Sequence, residues 1–368
     1  MNKIKQYGIV VMMLALLLVV GGCAGQQAEE KIETVKIEDM VGREVEVPKE
    51  VDKTIGVGAG ALRLITYLEA TDKVVGVEQF EKRDQNRPYI MGHPELTELP
   101  SIGPIHGGDA ELIAAQSPDV IFATYTDGST ADSLQEKTGI PVVVLSYGGP
   151  STMERDTYYK GLKLMAEVLN KEDRAEELIQ YTEDVIDDLQ QRTEDIAKAD
   201  KPKVYAGGIG QRGSHGIVST EPAYPSFEFI NANNVASPLG MEHAMVSKEK
   251  LLEWDPEIIF VDEGGYSLVV EDLKSPEYES ISAVENGELY GVLPYNYYTT
   301  NFETVLINSY YMGKIIYPEQ FSDIASEKKA DKIYEKFVGA PVYDQMQEAF
   351  GGYKRIDLQQ AIKEVENK

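Results

Sequence analysis

The chain has 368 residues, of which 62 are acidic and 35 are basic, so its formal net charge is -27. A protein this acidic does not bind nucleic acid through its bulk surface, and it lacks the excess of basic residues that anionic lipid attracts. One cysteine excludes intrachain disulfides and cysteine-ligated metal clusters. The length exceeds that of one typical hydrophobic core and suits two lobes.

The N-terminal segment has the pattern of a bacterial lipoprotein leader. Two lysines precede an apolar run over residues 9–20, which Gly21-Gly22-Cys23 ends. This predicts a signal peptide over residues 1–22, acylation of Cys23 and a polar tether over residues 23–33. We therefore expect an extracytoplasmic protein that is lipid-anchored to the cell membrane through the acyl chain. The alternative is an ordinary signal peptide cleaved near Ala24.

Strand and helix patterns alternate along most of the chain, which favours parallel or mostly parallel sheets. The alternation stops between Ser151 and Ala199, where apolar residues recur at helical spacing. One long amphipathic helix, or two abutting helices, fits this stretch. The prediction is an N-terminal α/β lobe over residues 34–160, a linking helix over residues 161–199 and a C-terminal α/β lobe over residues 200–368.

One sequence pattern occurs in both predicted lobes. A glutamate, Glu111 or Glu249, opens a short helix, and a proline stops that helix seven residues later, at Pro118 or Pro256. An acid and a buried-type strand follow each proline. The repeat predicts that both lobes share one βα plan, with a glutamate at the same place on each.

In the first predicted lobe, two loops are candidates for ligand binding. Gly56, Gly58 and Gly60 lead into a helix with Arg63 in its first turn, which favours close approach to an anion. The loop over residues 81–89 concentrates positive charge in an acidic chain. Its candidate binding residues are Arg83, Arg87 and Tyr89.

In the second predicted lobe, a glycine-rich segment after a strand carries Arg212 and His215. Residues 294–301 place three tyrosines in a strand-to-helix loop. Tyrosine offers a flat apolar face with a polar edge, which suits an organic chelate, and a phenolate is able to ligate ferric iron. The remaining candidates are Tyr224, Tyr266, Tyr295, Tyr297 and Tyr298.

Several segments together resemble the substrate-binding proteins of ABC importers for iron complexes, siderophores and cobalamin. They are residues 37–48, 74–78, 100–103, 111–123 and 246–261. The resemblance implies two lobes joined by one long rigid helix, a ligand cleft between the lobes, and no enzymatic activity. It also implies that Glu111 and Glu249 dock into arginine pockets of the permease, which works with an ATPase.

The resemblance orders the cargo as a ferric chelate first, cobalamin or another corrinoid second, and molybdate or tungstate third. A monomer without an intrinsic cofactor is expected. Two other functions are open from the residues themselves. The first is a bare-metal importer that uses His93, His106 and His215, although these lack close metal-ligand spacing. The second is an extracytoplasmic hydrolase, although no Gly-x-Ser-x-Gly motif occurs.

Overall fold

A computed structural model describes residues 33–83, 85–146, 148–149 and 153–367. The predicted signal peptide, Cys23 and all but the last residue of the predicted tether lie outside the described residues. The description below concerns the compact unit that begins at Val35, as far as its residues are described.

The described chain alternates strands and helices, with long helices concentrated in the middle and at the C-terminal end. The strands are β1 (Thr34–Glu38), β2 (Glu44–Pro48), β3 (Thr54–Val57), β4 (Val120–Thr124), β5 (Val142–Leu145), β6 (Lys203–Gly207), β7 (Ser219–Thr220), β8 (Asn233–Asn234), β9 (Ala244–Met245), β10 (Ile258–Asp262), β11 (Leu289–Val292) and β12 (Lys354–Arg355). The helices of the first half are α1 (Ala61–Tyr67), α2 (Gln79–Arg83), α3 (Pro88–Gly92), α4 (Ala110–Ala115), α5 (Gly128–Thr138), α6 (Arg155–Leu169) and α7 (Glu172–Gln191). Those of the second half are α8 (Pro225–Phe229), α9 (Lys248–Trp254), α10 (Tyr266–Leu273), α11 (Ser282–Glu285), α12 (Phe302–Ile316), α13 (Ser326–Val338), α14 (Tyr343–Phe350) and α15 (Leu358–Glu366).

Each half of the chain builds its own sheet. In the first half, β3, β4 and β5 lie side by side in parallel, and every residue of β4 is buried, as expected for a strand covered on both faces. In the second half the strand order is β12-β11-β10-β6-β8, and β12 alone runs antiparallel to its neighbour. The predicted fold class, two α/β lobes with mostly parallel sheets, agrees with this topology.

The repeated sequence pattern forms the same structure in both lobes. Helices α4 and α9 begin after side-chain caps from Asp109 and Ser247, and each repeated glutamate is the second residue of its helix. After each helix, a residue with left-handed backbone, Ser117 or Asp255, directly precedes the proline.

The acid after each proline explains why the pattern recurs. Asp119 Oδ2 accepts a hydrogen bond of 2.8 Å from the backbone N–H of Lys53, one residue before β3. Glu257 Oε2 accepts a bond of the same length from the backbone N–H of Lys203, the first residue of β6. Each carboxylate therefore ties the start of its own strand to that of the neighbouring parallel strand.

The linking segment contains two helices, which is the second of the two arrangements that the sequence allowed. Helix α6 starts before residue 161, and Asn170, with a φ of 55°, separates it from the 20-residue α7. A left-handed residue at this position ends α6 and turns the chain into α7. The helical stretch predicted over residues 161–199 thus consists of two helices, which span residues 155–169 and 172–191.

The two lobes share one continuous hydrophobic core. A single cluster of buried side chains runs from Ile37 in the first lobe to Met346 near the C-terminus. Helix α13 comes from the C-terminal segment yet packs on α1 and α3 of the first lobe, where Phe337 meets the ring of Tyr67 edge-on. The predicted C-terminal lobe over residues 200–368 thus includes a helix that belongs to the packing of both lobes.

No helix among the described residues is both long and apolar enough to cross a membrane.

Substitution of Gly58 tests how tightly the first sheet packs against the loop before α1. Gly58 has a φ of +88°, and a Cβ there would lie 2.6 Å from the carbonyl oxygen of Thr124. Gly42 has a similar φ of +79° and nothing within 4 Å, so it is a matched control. We expect Gly42→Ala to lower the free energy of unfolding by about 1 kcal/mol through backbone strain. Gly58→Ala should cost about 2 kcal/mol more through the clash. Equal losses in urea titrations would contradict this packing.

Candidate functional site

A cavity of about 680 Å³ lies between the two lobes. Its first-lobe wall carries the rings of Phe80 and Tyr125, and its second-lobe wall carries Tyr297 and Tyr298. The wall loops follow the carboxyl ends of the parallel strands, where ligands bind in open α/β sheets. The full lining is Ala59, Phe80, Ile105, His106, Tyr125, Gly210, Gln211, Arg212, Gly213, Ser214, Asp262, Gly264, Pro294, Asn296, Tyr297, Tyr298, Thr299 and Phe350.

A somewhat larger cavity, of about 760 Å³, adjoins this one within the first lobe and shares His106 and Tyr125 with it. It lies between the loop after β4 and helices α4 and α5. We take the interlobe cavity as the candidate site because both lobes line it, and because it brings aromatic rings and a guanidinium together.

The loop over residues 296–301 forms much of the second-lobe wall, and it is strained. Tyr298 and Thr299 have φ angles of 54° and 66°, in the left-handed region that disfavours a β-branched residue such as threonine. Such a conformation persists only where the surroundings hold it. Within the loop, Asn301 donates hydrogen bonds to the carbonyl oxygens of Tyr295, Tyr297 and Thr299.

Arg63 holds the same loop from the other lobe. Its side chain is fully buried, and Nη1 donates to the carbonyl of Thr300 at 2.9 Å. Nη2 donates to the carbonyls of Tyr297 at 3.2 Å and Tyr298 at 3.0 Å. The prediction that Arg63 binds ligand is therefore corrected, because its guanidinium is engaged with protein carbonyls and does not line the cavity.

Two side-chain contacts of the loop also cross between the lobes. The Tyr298 hydroxyl donates to Glu78 Oε2 at 2.5 Å, and Oε1 of the same carboxylate accepts from the backbone N–H groups of Gly58 and Gly107. Burial, then the adjacent Glu78 charge, raises the pKa of Tyr298 far above its ordinary value. Tyr298 is thus a neutral phenol here. The Tyr125 and Thr299 hydroxyls lie 2.5 Å apart.

Arg87 supports the wall from behind. It is fully buried, pairs with Glu81 at 2.8 Å, and lies over the ring of Phe80 at 4.4 Å. Its guanidinium also lies 5.7 Å from the ring centre of Tyr298. A cation packed on aromatic faces stabilises them in place. The prediction that Arg87 contacts ligand is therefore also corrected.

Arg212 is the predicted arginine that the structure does place at the cavity. It is exposed, has a φ of 56°, and lies in the loop with Gly210, Gln211 and Gly213. The Asn296 side chain donates to the Gly210 carbonyl at 2.6 Å and so joins this loop to the tyrosine loop. Predicted His215 bonds the Gln211 carbonyl at 2.8 Å behind the lining.

Of the other residues predicted to bind ligand, some line the interlobe cavity and some do not. Tyr297 and Tyr298 line the cavity, whereas Tyr89, Tyr224 and Tyr295 are buried and absent from its lining. Tyr224 and Tyr295 pack edge to face, 5.2 Å apart. Two predicted residues lie away from the cavity: Arg83, exposed at the end of α2, and Tyr266, beneath Lys354.

Sequence reasoning missed several lining residues, chiefly Phe80, Ile105, Asp262 and Phe350. Asp262 ends β10, so its position at the carboxyl end of a buried strand was the one signal available. Phe350 ends α14, and its contact with the Tyr297 ring, 5.8 Å away, depends on the tertiary fold.

The described residues contain no group of three or more histidine, aspartate, glutamate or cysteine side chains placed to hold a metal ion. His93 lies beside Gly339 at the end of α13 and pairs with Glu95, so it does not join His106 at the cavity. The bare-metal site of His93, His106 and His215 is therefore not assembled in this structure.

Glu111 and Glu249 are both exposed, and neither forms an ion pair within the described chain. Helices that precede parallel strands run antiparallel to them, so the starts of α4 and α9 lie toward the carboxyl edges of the two sheets. For α4, Ala110 and the loop after β4 line one cavity together. Each lobe thus presents one of the two exposed glutamates on the side that carries the cleft.

Residues 58–295 match the family model described as periplasmic binding protein. The chain belongs to this family. A molybdate-binding protein, MolA, of Haemophilus influenzae is 24% identical over 82% of the chain and 90% of its own length. An Fe(3+)-citrate-binding protein, YfmC, of Bacillus subtilis is 25% identical over 78% of the chain and 89% of its own.

Solved structures share the fold of this periplasmic binding protein. Molybdate-bound MolA has a TM-score of 0.67 at 24% identity and covers 83% of the chain and 98% of its own. A solute-binding protein of Veillonella parvula has a TM-score of 0.68 at 21% identity and covers 90% and 100%. The predicted family, fold class and lack of enzymatic activity are confirmed. The protein is a substrate-binding protein of an ABC transporter.

Removal of the Arg63 guanidinium should destabilise the protein strongly. Arg63→Met leaves three loop carbonyls without their charged donor. It also removes the cation that lowers the pKa of Glu303, which burial raises. We expect the free energy of unfolding to fall by about 3 kcal/mol or more. Arg212→Met, at an exposed arginine, is the control and should change it by less than about 0.5 kcal/mol. Similar urea midpoints for the two variants would refute the role assigned to Arg63.

Proposed function

We propose that this binding protein captures an anionic metal chelate, with a ferric chelate of the citrate or siderophore type as the leading cargo. The observation that supports this most is the makeup of the interlobe cavity. Aromatic rings line both walls, and Arg212 supplies positive charge among the described lining residues. Rings offer apolar contact to the organic part of a chelate, and a guanidinium pairs with its carboxylate or catecholate oxygens.

The cavity volume also favours a small chelate. About 680 Å³ falls in the range of pockets that enclose drug-sized ligands. A tetrahedral oxyanion would fill little of it, and a corrinoid would require the lobes to part. Molybdate or tungstate is the second candidate, because MolA is a relative of similar length. A corrinoid is the third.

The ligand, as proposed, is bound without direct coordination by Tyr298. Tyr298 keeps its proton through burial and its bond to Glu78, so it is a hydrogen-bond partner and a ring face, not a phenolate ligand. No intrinsic cofactor is proposed.

The delivery steps complete the proposal. The acyl chain on Cys23 would hold a monomer at the membrane, where Glu111 and Glu249 dock the two lobes onto a permease coupled to its ATPase. The two exposed carboxylates at matching positions support this arrangement.

Arg212 gives the direct test of ligand capture. Calorimetric titration with ferric citrate, and separately with sodium molybdate, should show binding of one or both. Arg212→Ala should weaken that binding about 10- to 100-fold, the effect of losing one or two charge-assisted hydrogen bonds. Arg83→Ala, an exposed arginine outside the cavity lining, is the control and should bind like wild type. An Arg212→Ala variant with wild-type affinity would refute the site, and binding of molybdate alone would favour the second candidate.

Charge reversal of the repeated glutamates tests docking. Glu111→Lys and Glu249→Lys should leave ligand affinity unchanged, because neither residue lines the interlobe cavity. Ligand-stimulated ATP hydrolysis by the reconstituted transporter should fall in each variant and most in the double variant. Glu172→Lys, an exposed first-turn acid of α7, is the matched control. Full stimulation by the double variant would mean that the repeat reflects the shared βα plan alone.

A further inference from the structure

Asp262 is a buried carboxyl in the lining of the interlobe cavity, and one of its oxygens has no hydrogen-bond partner among the described residues. It ends β10, is 1% exposed and belongs to the cavity lining. Its Oδ1 accepts a hydrogen bond of 2.9 Å from the backbone N–H of Gly264. Its Oδ2 is buried and has no hydrogen-bond partner among the described residues. A buried polar atom in this state costs free energy unless a ligand completes its bonding.

The groups packed around Asp262 do not neutralise a charge on it. Tyr224 on the neighbouring element is a buried phenol whose own pKa is raised, first by burial and then by Asp262. Glu263 points elsewhere, since its Oε2 accepts from the Gly352 N–H at 2.7 Å and its Oε1 lies 3.6 Å from Lys354 Nζ. On the cavity side the other ionisable groups are His106, Arg212 and the lining tyrosines 125, 297 and 298.

Burial raises the pKa of Asp262 to about 7, although the backbone N–H groups of Gly264 and Tyr295 favour the charged form and lower the pKa. The side chain is therefore divided between acid and carboxylate near neutral pH. The acid form carries one proton, and Oδ2 is the carboxyl oxygen that has no hydrogen-bond partner among the described residues.

We propose that Asp262 binds the ligand as a neutral acid, donating an Oδ2–H hydrogen bond to an oxygen of an anionic chelate. A carboxylate at the same place would repel that oxygen, so ionisation of Asp262 turns a donor into a like charge. The inference rests on the proposed function, because it requires an anionic ligand in the interlobe cavity. It assigns Arg212 and Asp262 to complementary tasks, the first supplying charge and the second a proton-dependent bond.

The proposal predicts how affinity depends on pH. If only the acid form binds, the apparent dissociation constant scales with the inverse of the protonated fraction. For a pKa of about 7, the affinity should fall about tenfold between pH 6 and pH 8. Binding near pH 7.5 should also take up most of one proton, because the ionised fraction must be protonated on binding.

The test is calorimetric titration of the full mature protein with ferric citrate at pH 6, 7 and 8. At pH 7.5 the titration is repeated in two buffers of different ionisation enthalpy, which reports proton uptake. Asp262→Asn keeps the shape and a donor but does not titrate. The affinity of this variant should fall much less between pH 6 and pH 8 than the affinity of wild type does. Its binding at pH 7.5 should also take up a smaller fraction of a proton. Glu263→Gln removes the adjacent buried acid, which does not line the cavity, and His106→Gln removes the lining imidazole. Both variants should keep the decrease in affinity between pH 6 and pH 8 that Asp262 causes in wild type.

Comparison of variants corrects for protonation of citrate itself, which is the same in all of them. An Asp262→Asn variant with the wild-type pH dependence would overturn the proposal, as would loss of the pH dependence in His106→Gln alone. Absence of proton uptake by wild type would overturn it without any variant, should Asp262→Asn fail to fold. If wild type binds neither ferric citrate nor molybdate at any pH, the proposed function fails instead, which is a separate result.

The ligand-free protein provides a second readout. Because the pKa of Asp262 is raised from its ordinary 3.8, the stability linked to this group is fully present below about pH 4 and is lost as the pH rises through about 7. Asp262→Asn should therefore show a smaller decrease in melting temperature between pH 5 and pH 8 than wild type does. Equal decreases would show that Asp262 does not titrate in this range.

Discussion

One buried guanidinium joins the two halves of the candidate site. Arg63 extends from the first helix of the first lobe to three carbonyls of the loop that carries Tyr297 and Tyr298. That loop includes two non-glycine residues in left-handed conformation, which the chain does not adopt without support. The position of the tyrosine wall, and through it the shape of the cavity, depends on this contact between lobes.

The three arginines near the candidate site differ in burial. Arg63 and Arg87 are both fully buried, and they stabilise carbonyls, a carboxylate and the rings of the wall. Arg212 is exposed at the cavity, so it is the arginine available to a ligand. Among the described residues that line the cavity, Arg212 is the one arginine or lysine and Asp262 is the one acid, and aromatic rings form much of the remaining wall.

The lobes are not independent bodies on a flexible linker. They share one hydrophobic core, and helix α13 packs on both α12 and the helices of the first lobe. Separating the lobes widely would expose this core, whereas a small opening need only break the contacts at the cleft, such as Tyr298 with Glu78 and Tyr125 with Thr299. The hydrophobic cost therefore favours a limited movement around the ligand.

The amino-acid sequence by itself determined the features that depend on neighbouring residues. Alternating strand and helix patterns predicted the α/β lobes, and the proline and acid after Glu111 and Glu249 predicted the repeated unit. Only the tertiary structure decided which charged and aromatic side chains meet the cavity. Arg63 and Thr300 are 237 residues apart, and Phe350 reaches Tyr297 from the C-terminal helices. An arginine beside a glycine-rich loop has the same local sequence pattern whether it binds a ligand or holds a distant loop, because its burial is set by distant segments that the folded chain brings against it.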